Sequence, residues 1–263
     1  STILDLAQAL PYAQEIDAKA AQAWVTGIVK KDGLSAKTVA RILSSIRGYW
    51  KHLTALSLVK SDPFTGLTLP PTAKRGTSWK PFTPAQVVDL VKRANANSDH
   101  ELADLITIDM WTGARIEEVC SLKVQDVDLA GKSFNVTDSK TKAGVREVPI
   151  HEELLPTLRR LIGKRTTGYV LADLTANKYG DRSNAIGKRF GRLKKAAGFG
   201  PAHVFHSIRK CVSTQLENAL VPEGITADII GHEKPNITYG IYSGGASLEV
   251  KRAALANLRY PAL

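Results

Sequence analysis

Two short segments in the second half of the chain concentrate side chains that bind and attack phosphate. In residues 203–211 an imidazole, His206, precedes a guanidinium, Arg209, by three positions. In residues 230–243 a Gly-His pair ending at His232 is followed by two tyrosines. Carboxylates, which perform much of the metal and proton chemistry of enzymes, are almost absent from both segments. The residue types therefore favour a phosphodiester or dianionic substrate.

The composition indicates a polyanionic partner. The 263 residues are 43% hydrophobic, which suits one or two domains with a core, and they carry a net charge of +11 with a pI of about 9.6. Residues 1–80 hold 11 basic and 5 acidic side chains, against 25 and 20 in residues 81–263. Charge by itself fits a soluble protein equally well, so the assignment depends on specific residues.

Several other classes of protein find no support in the sequence. Cys120 and Cys211 lack the spacing of a metal site, so we expect no zinc. With only two cysteines, a reducing cytosol is the simplest location. No apolar run approaches the length of a membrane span and no signal peptide is recognised, so we expect no membrane role. A start at Ser1 and a single methionine, Met110, indicate a processed chain or a fragment.

A stretch rich in proline and glycine predicts the domain boundary. Residues 61–81 contain four prolines and two glycines and lack helical periodicity. We predict a helical DNA-binding domain over residues 1–67, a basic linker over 68–80 and a catalytic domain over 81–263. The linker contributes two candidate DNA contacts, Lys74 and Arg75.

In the first domain, a helix predicted from Ser35 to Leu53 has two distinct faces. Ser35 is a suitable N-cap, and the apolar side chains gather on one face at about 100° per residue. The opposite face is purely cationic, whereas surface helices ordinarily mix charge signs. We therefore expect it to contact DNA phosphates. Its basic residues are Lys37, Arg41, Arg47 and Lys51.

The catalytic domain is predicted to combine helices with a β-hairpin. Arg115 begins a helix at a Gly-containing turn, and alternation over residues 132–138 and 145–150 predicts two strands. The turn between them carries Lys140 and Lys142. Residues further on predict a strongly basic helix over 183–197, with candidate phosphate contacts Lys188, Arg189 and Arg192.

The order of these residues resembles the tyrosine recombinases, the phage-integrase family, over roughly residues 14–260. The likeness consists of Thr-Gly-Ala-Arg115, Lys140 before Arg146-Glu-Val-Pro-Ile, His206-Ser-Ile-Arg209, Gly231-His232 and a tyrosine ten residues later. Each motif is weak alone, but the six candidate catalytic residues that they carry, in this order and at suitable spacing, are specific. Lys210, where the family often has His, and Ile230, where Leu is common, depart from the pattern without removing a catalytic group.

The resemblance implies an α+β, mainly α fold. A helical core-binding (SAM-like) domain would precede a mixed catalytic domain of the phage-integrase type with a small antiparallel β-sheet. The implied protein is a site-specific recombinase of a phage or mobile element, without cofactor or metal. It would act on double-stranded DNA as a homotetramer in the cytoplasm of a bacterial host, in association with the nucleoid. Accessory DNA-bending proteins are further candidate partners.

Cleavage of a phosphodiester requires positive charge at the two nonbridging oxygens, and a nucleophile. Arg115 and Arg209 suit the first task, because guanidinium groups stay protonated and bind oxygens in pairs. By resemblance, Tyr242 forms a 3′-phosphotyrosine that conserves the bond energy for rejoining. Tyr239 is the alternative nucleophile, but it lies only seven residues after His232, against ten for Tyr242.

The remaining roles concern protons and support. By resemblance, Lys140 protonates the departing 5′ oxygen, with Lys142 as the alternative. His206 would accept the tyrosine proton or bind the phosphate, and His232 would orient the phosphate or the nucleophile. Glu118 would hold the guanidinium of the arginine one turn before it. The residue outside the motif, His203, is interpreted as structural or as a minor phosphate contact.

Two alternative functions share features with the recombinase. A type IB topoisomerase would share the nucleophile and relax supercoils without sequence preference, and an inactive DNA-binding regulator would retain the fold alone. The presence of all six expected groups argues against a decayed enzyme.

The segment 246–259 predicts an amphipathic helix that we expect to dock onto a neighbouring protomer.

Overall fold

The structure, a computed structural model, describes residues 2–32, 34–68, 78–138, 142–233 and 244–263. It divides the chain into two compact units, Ser1–Ser78 and Trp79–Leu263. Most of the predicted linker falls outside the described residues, so the three domain ranges and the linker stay predictions.

The first unit consists of helices around an aromatic core. Its helices are α1 (Thr2–Ala9), α2 (Ala18–Asp32) and α3 (Ala36–Ala55). The hydroxyl of Ser35 accepts a hydrogen bond from the amide of Thr38, which confirms Ser35 as the N-cap of α3. Trp50 on α3 is 2% exposed and packs edge-on against Phe64, with ring centroids 4.9 Å apart. The predicted apolar face of α3 is therefore the packed face.

The second unit is built around α5, whose residues from Leu102 onward are all buried. Its helices are α4 (Pro84–Ala96), α5 (His100–Thr112), α6 (Ile116–Cys120), α7 (Leu155–Ile162), α8 (Ser183–Ala196), α9 (His206–Asn218), α10 (Glu223–Ile230) and α11 (Leu248–Leu255). Thr83 and Gln86 form a capping box that begins α4, with Pro84 at its first position as predicted. Because α5 packs against α4 and α9, it places the ends of neighbouring helices close together.

A small antiparallel sheet completes this unit, in the order β1-β2-β3. Its strands are β1 (Val127–Asp128), β2 (Ser133–Val136) and β3 (Arg146–Pro149). Phe134 pairs with Val148 in the register of the two longer strands. The predicted hairpin is confirmed, whereas β1 was missed because two residues cannot show alternation. The mainly α, α+β fold class is confirmed.

The C-terminal helix corrects one expectation. Ala254 and Leu255 on α11, and Leu258 after it, are buried in the core of their own unit. The Nζ atom of Lys251 donates to the carbonyl of Glu147 at 2.5 Å. The apolar face that we expected to dock onto a neighbouring protomer is therefore occupied within the same chain.

Two further features concern membranes and metals. Within the described ranges, no helix is both long enough and apolar enough to cross a membrane. The same residues contain no cluster of three or more His, Cys, Asp or Glu side chains suited to a metal ion. Cys120 and Cys211 are both buried free thiols.

Candidate active site

The turn after α5 brings two of the predicted arginines together. Gly113 ends α5 with a φ of +60°, and a Cβ there would lie 3.1 Å from side-chain atoms of Val212 and Ile230. Glycine suits this turn because other residues are strained at such a φ. The Gly113 carbonyl accepts a hydrogen bond from Nη1 of Arg209 at 2.8 Å. Arg115 follows two residues later as the N-cap of α6.

Arg115 is fixed by one carboxylate and one backbone carbonyl. Its amide donates to Oε2 of Glu118 at 2.9 Å, and its Nη1 donates to Oε1 of the same residue at 2.6 Å. Its Nη2 donates to the carbonyl of Gly231 at 2.8 Å. The side chain remains 31% exposed, so it is anchored from inside while it reaches solvent. Glu118 makes the contact that its predicted supporting role requires.

Arg209 is a buried cation with unused donors. It lies on α9 and is 1% exposed, and its Nε and Nη2 have no hydrogen-bond partner among the described residues. Burial, followed by the charges of Arg115 and Arg146, lowers the pKa of Arg209 to about 10, so it is still protonated at neutral pH. Unpaired buried donors cost free energy, and an anion that accepted from them would remove that cost.

The two predicted histidines are influenced by this charge. His206 begins α9, one turn before Arg209, and its ring lies edge-on to Trp79 with centroids 5.9 Å apart. Burial and then the Arg209 charge lower the pKa of His206. His232 reaches solvent, but partial burial, then Arg209 and Arg115, lower its pKa to about 4. Both imidazoles are therefore neutral at pH 7.

A third arginine, Arg146, belongs to the site and was not predicted as a site residue. Its Nε donates to the carbonyl of Ile229 at 2.6 Å and its Nη1 to the carbonyl of Gly144 at 2.6 Å. Its Nη2 donates to Oε2 of Glu118 at 3.0 Å. The side chain is 6% exposed, so Arg146 lies beneath the site rather than at its surface.

Glu118 is the carboxylate that Arg115 and Arg146 share. Its side chain is 4% exposed. Burial acts to raise the pKa of Glu118, but Arg146 and then Arg115 oppose it, and the net pKa lies below the ordinary value. Glu118 is therefore ionised at neutral pH, and its charge keeps two neighbouring guanidinium groups in place.

A second buried carboxyl, Asp109, was also missed. It lies on α5 and is 0% exposed, and neither side-chain oxygen has a hydrogen-bond partner in the described part of the chain. Burial raises the pKa of Asp109 well above its ordinary value, although the charge of Arg209 opposes the rise. A protonated Asp109 leaves the charge of Arg209 available to an external anion.

Both missed residues had a signal in the sequence. Arg146, Val148 and Ile150 occupy every second position, so their side chains lie on the same face of the strand. Val148 and Ile150 are buried, which places the charged Arg146 on the core face. Asp109 stands between Ile108 and Met110 in a helix that is otherwise mostly apolar. An ionisable residue on a core face indicates either a buried partner or an uncharged form.

Several predicted positions cannot be placed. Lys74, Arg75, Lys140, Tyr239 and Tyr242 lie outside the described residues. Lys142 begins the short 3₁₀ turn Lys142–Gly144, and the choice between the two lysines stays open. His203 stacks on Phe82 with centroids 4.9 Å and planes 28° apart, which favours its structural interpretation.

The candidate DNA contacts on α3 divide into two groups. Lys37, Arg41 and Lys51 are exposed. Arg47 is exposed as well, but it donates through Nε and Nη2 to the carbonyl of Phe64, at 3.0 and 2.7 Å. Part of its donor capacity therefore stabilises the loop after α3.

The candidates on α8 show the same division. Lys188 and Arg192 are exposed. Arg189 forms ion pairs with Asp99 and with Glu101, the latter at 2.7 Å. These pairs tie α8 to the start of α5, so Arg189 is already engaged within its own domain.

The first prediction concerns the titration of His232. In a protein with isotope-labelled histidines, NMR should give a midpoint near pH 4 for this imidazole, because burial and the nearby arginines disfavour its charged form. Arg209→Gln should raise the midpoint, whereas Arg165→Gln, which alters an arginine engaged with the carbonyls of Leu161, Tyr169 and Val170, should not. A wild-type midpoint at or above the ordinary value of about 6.5 would contradict the described environment.

The second prediction concerns Asp109→Asn. The unfolded chain ionises Asp109 near pH 4, whereas burial raises the pKa of this carboxyl in the folded state, so its contribution to stability falls as pH rises from about 4 towards the folded pKa. The variant lacks this loss. Its free energy of unfolding relative to wild type should therefore increase with pH, by up to about 1.4 kcal/mol per pH unit.

Urea unfolding at pH 5, 6 and 7 measures this difference. Asp89→Asn is the control, because Asp89 is a surface residue paired with Arg93. A difference between Asp109→Asn and wild type that does not change with pH would show that the folded protein ionises Asp109.

Comparisons with known proteins agree with this geometry. Residues 80–246 match the phage integrase family. The chain is 24% identical over 254 residues to a XerC-like tyrosine recombinase of Caldanaerobacter subterraneus, covering 81% of this chain and 63% of the relative. It is 27% identical over 239 residues to the tyrosine recombinase XerC of Bacillus pumilus, covering 86% and 76%. The chain thus spans less than two thirds of the first of these relatives.

Solved structures with a similar fold include two integrases. The Tn1549 transposon integrase in complex with a circular intermediate DNA is 24% identical with a TM-score of 0.66, over 94% of this chain and 87% of that one. A lambda integrase tetramer bound to a Holliday junction is 20% identical with a TM-score of 0.68, over 89% and 69%. These likenesses establish the fold, and the family match covers more than half of the sequence. The chain belongs to the phage integrase family.

Proposed function

We propose that this protein cleaves and rejoins DNA at specific sites through a covalent phosphotyrosine intermediate. The supporting observation is that Arg115 and Arg209 meet at the Gly113 turn, with two donors of Arg209 lacking a partner in the described residues. Two guanidinium groups at one point suit a phosphate whose nonbridging oxygens gain charge in the transition state. Family membership supports the same assignment.

In the proposed reaction the phenolic oxygen of Tyr242 attacks the phosphorus atom. A new P–O bond to tyrosine forms while the bond from phosphorus to the 5′ oxygen breaks. The phenol proton passes to His206, which is neutral beforehand as a base must be. The 5′ oxygen receives a proton from Lys140. The reverse attack by a 5′ hydroxyl rejoins DNA, so the cycle needs no external energy source.

The neutral state of His232 suits a hydrogen-bonding role. A neutral imidazole can donate one hydrogen bond to a phosphate oxygen without adding a further positive charge to the arginine cluster. Gly231, which precedes His232, already accepts from Arg115. We therefore assign His232 to orientation of the phosphate and His206 to proton transfer.

Chain connectivity supports Tyr242 as the nucleophile. The amide of Ala246 donates to Oδ2 of Asp228 on α10 at 2.7 Å. Four residues span at most about 14 Å, which limits the distance from Tyr242 to Ala246. Asp228 lies within one helical turn of Gly231, the residue bonded to Arg115. Tyr242 is thus joined by a short segment to a residue bonded to α10, the helix that leads into Gly231 and His232.

The proposed substrate is double-stranded DNA carrying a pair of recombination sites, and the proposed assembly is a homotetramer. Solved relatives of similar fold are described as bound to DNA, and one as a tetramer on a Holliday junction. Integration or excision of a phage or other mobile element is the corresponding biological role. A bacterial cytoplasm in association with the nucleoid, with accessory DNA-bending proteins, completes the proposal.

The third prediction tests the nucleophile with a DNA duplex nicked next to the cleaved phosphate, which traps the covalent adduct. Wild type should form a protein–DNA adduct visible on a denaturing gel. Tyr242→Phe should form none while binding DNA normally, because it lacks only the attacking hydroxyl. Tyr239→Phe is the matched control and should retain the adduct. An adduct from Tyr242→Phe that is lost in Tyr239→Phe would transfer the role to Tyr239.

The same preparation separates the recombinase from its alternatives. A recombinase needs a specific pair of sites, whereas a type IB topoisomerase would relax any supercoiled plasmid. An inactive regulator would bind DNA and form no adduct on any nicked duplex. The comparisons favour neither alternative, since the matching relatives are recombinases.

The fourth prediction concerns the cationic face of α3. Lys37→Gln combined with Arg41→Gln should lower the magnitude of the slope of log K against log salt by about 1.8, since each phosphate contact contributes about 0.9. Lys19→Gln combined with Lys60→Gln removes the same charge from exposed positions elsewhere in the first unit. Fluorescence anisotropy over a salt series measures both. Equal losses of slope in the two double variants would contradict a contact specific to α3.

A further inference from the structure

The side chain of Arg146 connects separate elements around the candidate site. Each of its three nitrogen atoms donates a hydrogen bond, to the carbonyls of Ile229 and Gly144 and to the carboxylate of Glu118. The side chain is 6% exposed. With its nitrogens engaged and its charge buried, Arg146 is suited to hold other groups rather than to bind phosphate itself.

The three acceptors belong to elements that carry proposed catalytic groups. Gly144 ends the turn between β2 and β3, the turn on which Lys140 and Lys142 lie. Ile229 is on the last turn of α10, two residues before Gly231 and three before His232. The contacts of Arg146 therefore extend from the turn that precedes β3 to the end of α10, which leads into a candidate phosphate ligand, His232.

The contacts also form a closed ring. Arg146 binds Glu118, Glu118 binds Arg115, and Arg115 binds the carbonyl of Gly231. Gly231 follows α10, whose Ile229 carbonyl accepts from Arg146. In such a ring, displacement of one side chain changes the position of the others, because every member has two partners.

Gly231 is adapted to this arrangement. It has a φ of +73°, and a Cβ there would lie 2.5 Å from Nη1 and 2.8 Å from Cζ of Arg146. Any side chain at 231 would displace the guanidinium from its acceptors. The glycine of the Gly-His motif is therefore required by the contact with Arg146 as well as by the backbone.

We propose that Arg146 is a positioning residue that holds the β2–β3 turn, and with it the general-acid lysine, in register with Arg115 and His232. The proposal rests on the proposed DNA cleavage. A guanidinium suits the task because its planar fork directs donors to three acceptors at once, which a single ammonium on a flexible stem does not. Residues that orient catalytic groups through hydrogen bonds commonly affect rates by 10- to 100-fold.

The test, our fifth prediction, compares Arg146→Lys with wild type on two nicked duplexes. One duplex has the natural oxygen at the 5′ leaving position and the other has sulfur there. A thiolate leaves without protonation, because a thiol is far more acidic than an alcohol. On the oxygen duplex, Arg146→Lys should form the adduct roughly 10- to 100-fold more slowly than wild type. On the sulfur duplex it should come within about threefold of wild type, since the misplaced acid is no longer needed.

Three companion variants make the comparison specific. Of Lys140→Ala and Lys142→Ala, the variant whose adduct formation recovers on the sulfur duplex identifies the general acid. Adduct formation by Arg146→Lys should recover to a similar extent. Arg165→Lys is the matched structural control, because Arg165 donates to the carbonyls of Leu161, Tyr169 and Val170. It should lose thermal stability without any difference between oxygen and sulfur. DNA affinity and melting temperature are measured for every variant.

The outcomes separate this proposal from the proposed function. Wild-type rates for Arg146→Lys on both duplexes would overturn the positioning role. An equal slowing on both duplexes would overturn it too, because the defect would then not concern leaving-group protonation. Absence of any adduct from wild type on either duplex would instead refute the proposed DNA cleavage.

Discussion

Confinement of like charges is the constraint on which the candidate site depends. Arg115, Arg146 and Arg209 lie close together, and burial, followed by the charges of Arg115 and Arg146, lowers the pKa of Arg209 to about 10. Repulsion between buried charges is much stronger than in water. The fold offsets it with Glu118, which is ionised between two of the arginines. Burial raises the pKa of Asp109 well above its ordinary value, which disfavours a negative charge beside Arg209 and keeps the field positive for an anion.

Helix ends provide most of the other partners. The last carbonyls of a helix lack intrahelical donors and carry the negative end of its dipole. The carbonyl of Gly113 after α5 accepts from Arg209, and the carbonyl of Gly231 after α10 accepts from Arg115. That of Ile229 accepts from Arg146. Two helix C-termini that end at left-handed glycines thus supply carbonyl acceptors to three guanidinium groups.

The buried position and positive surroundings of the site also affect the protonation of its histidines. The histidines therefore differ in role from the cations on the surface helices. Because burial and then the neighbouring arginines lower the pKa of both imidazoles, His206 and His232 stay neutral at pH 7. Neutral imidazoles can accept or donate a proton, whereas the exposed lysines and arginines of α3 and α8 act only as fixed charges. Where such a cation has a partner within its own unit, as Arg47 and Arg189 do, it stabilises the fold instead.

Local sequence determined much of this protein. The caps at Ser35 and Thr83, the two faces of α3 and the hairpin depend on neighbouring residues, so periodicity and cap chemistry suffice to predict them. The ordered motifs likewise predicted Arg115, His206, Arg209 and His232 as site residues. Only the tertiary structure decided which charges are buried and paired. Arg146 meets Ile229 across 83 positions of the chain, and the apolar face of α11 finds its core within its own unit. Long-range packing sets burial, and burial raises the pKa of Asp109, so neither could follow from the order of residues alone.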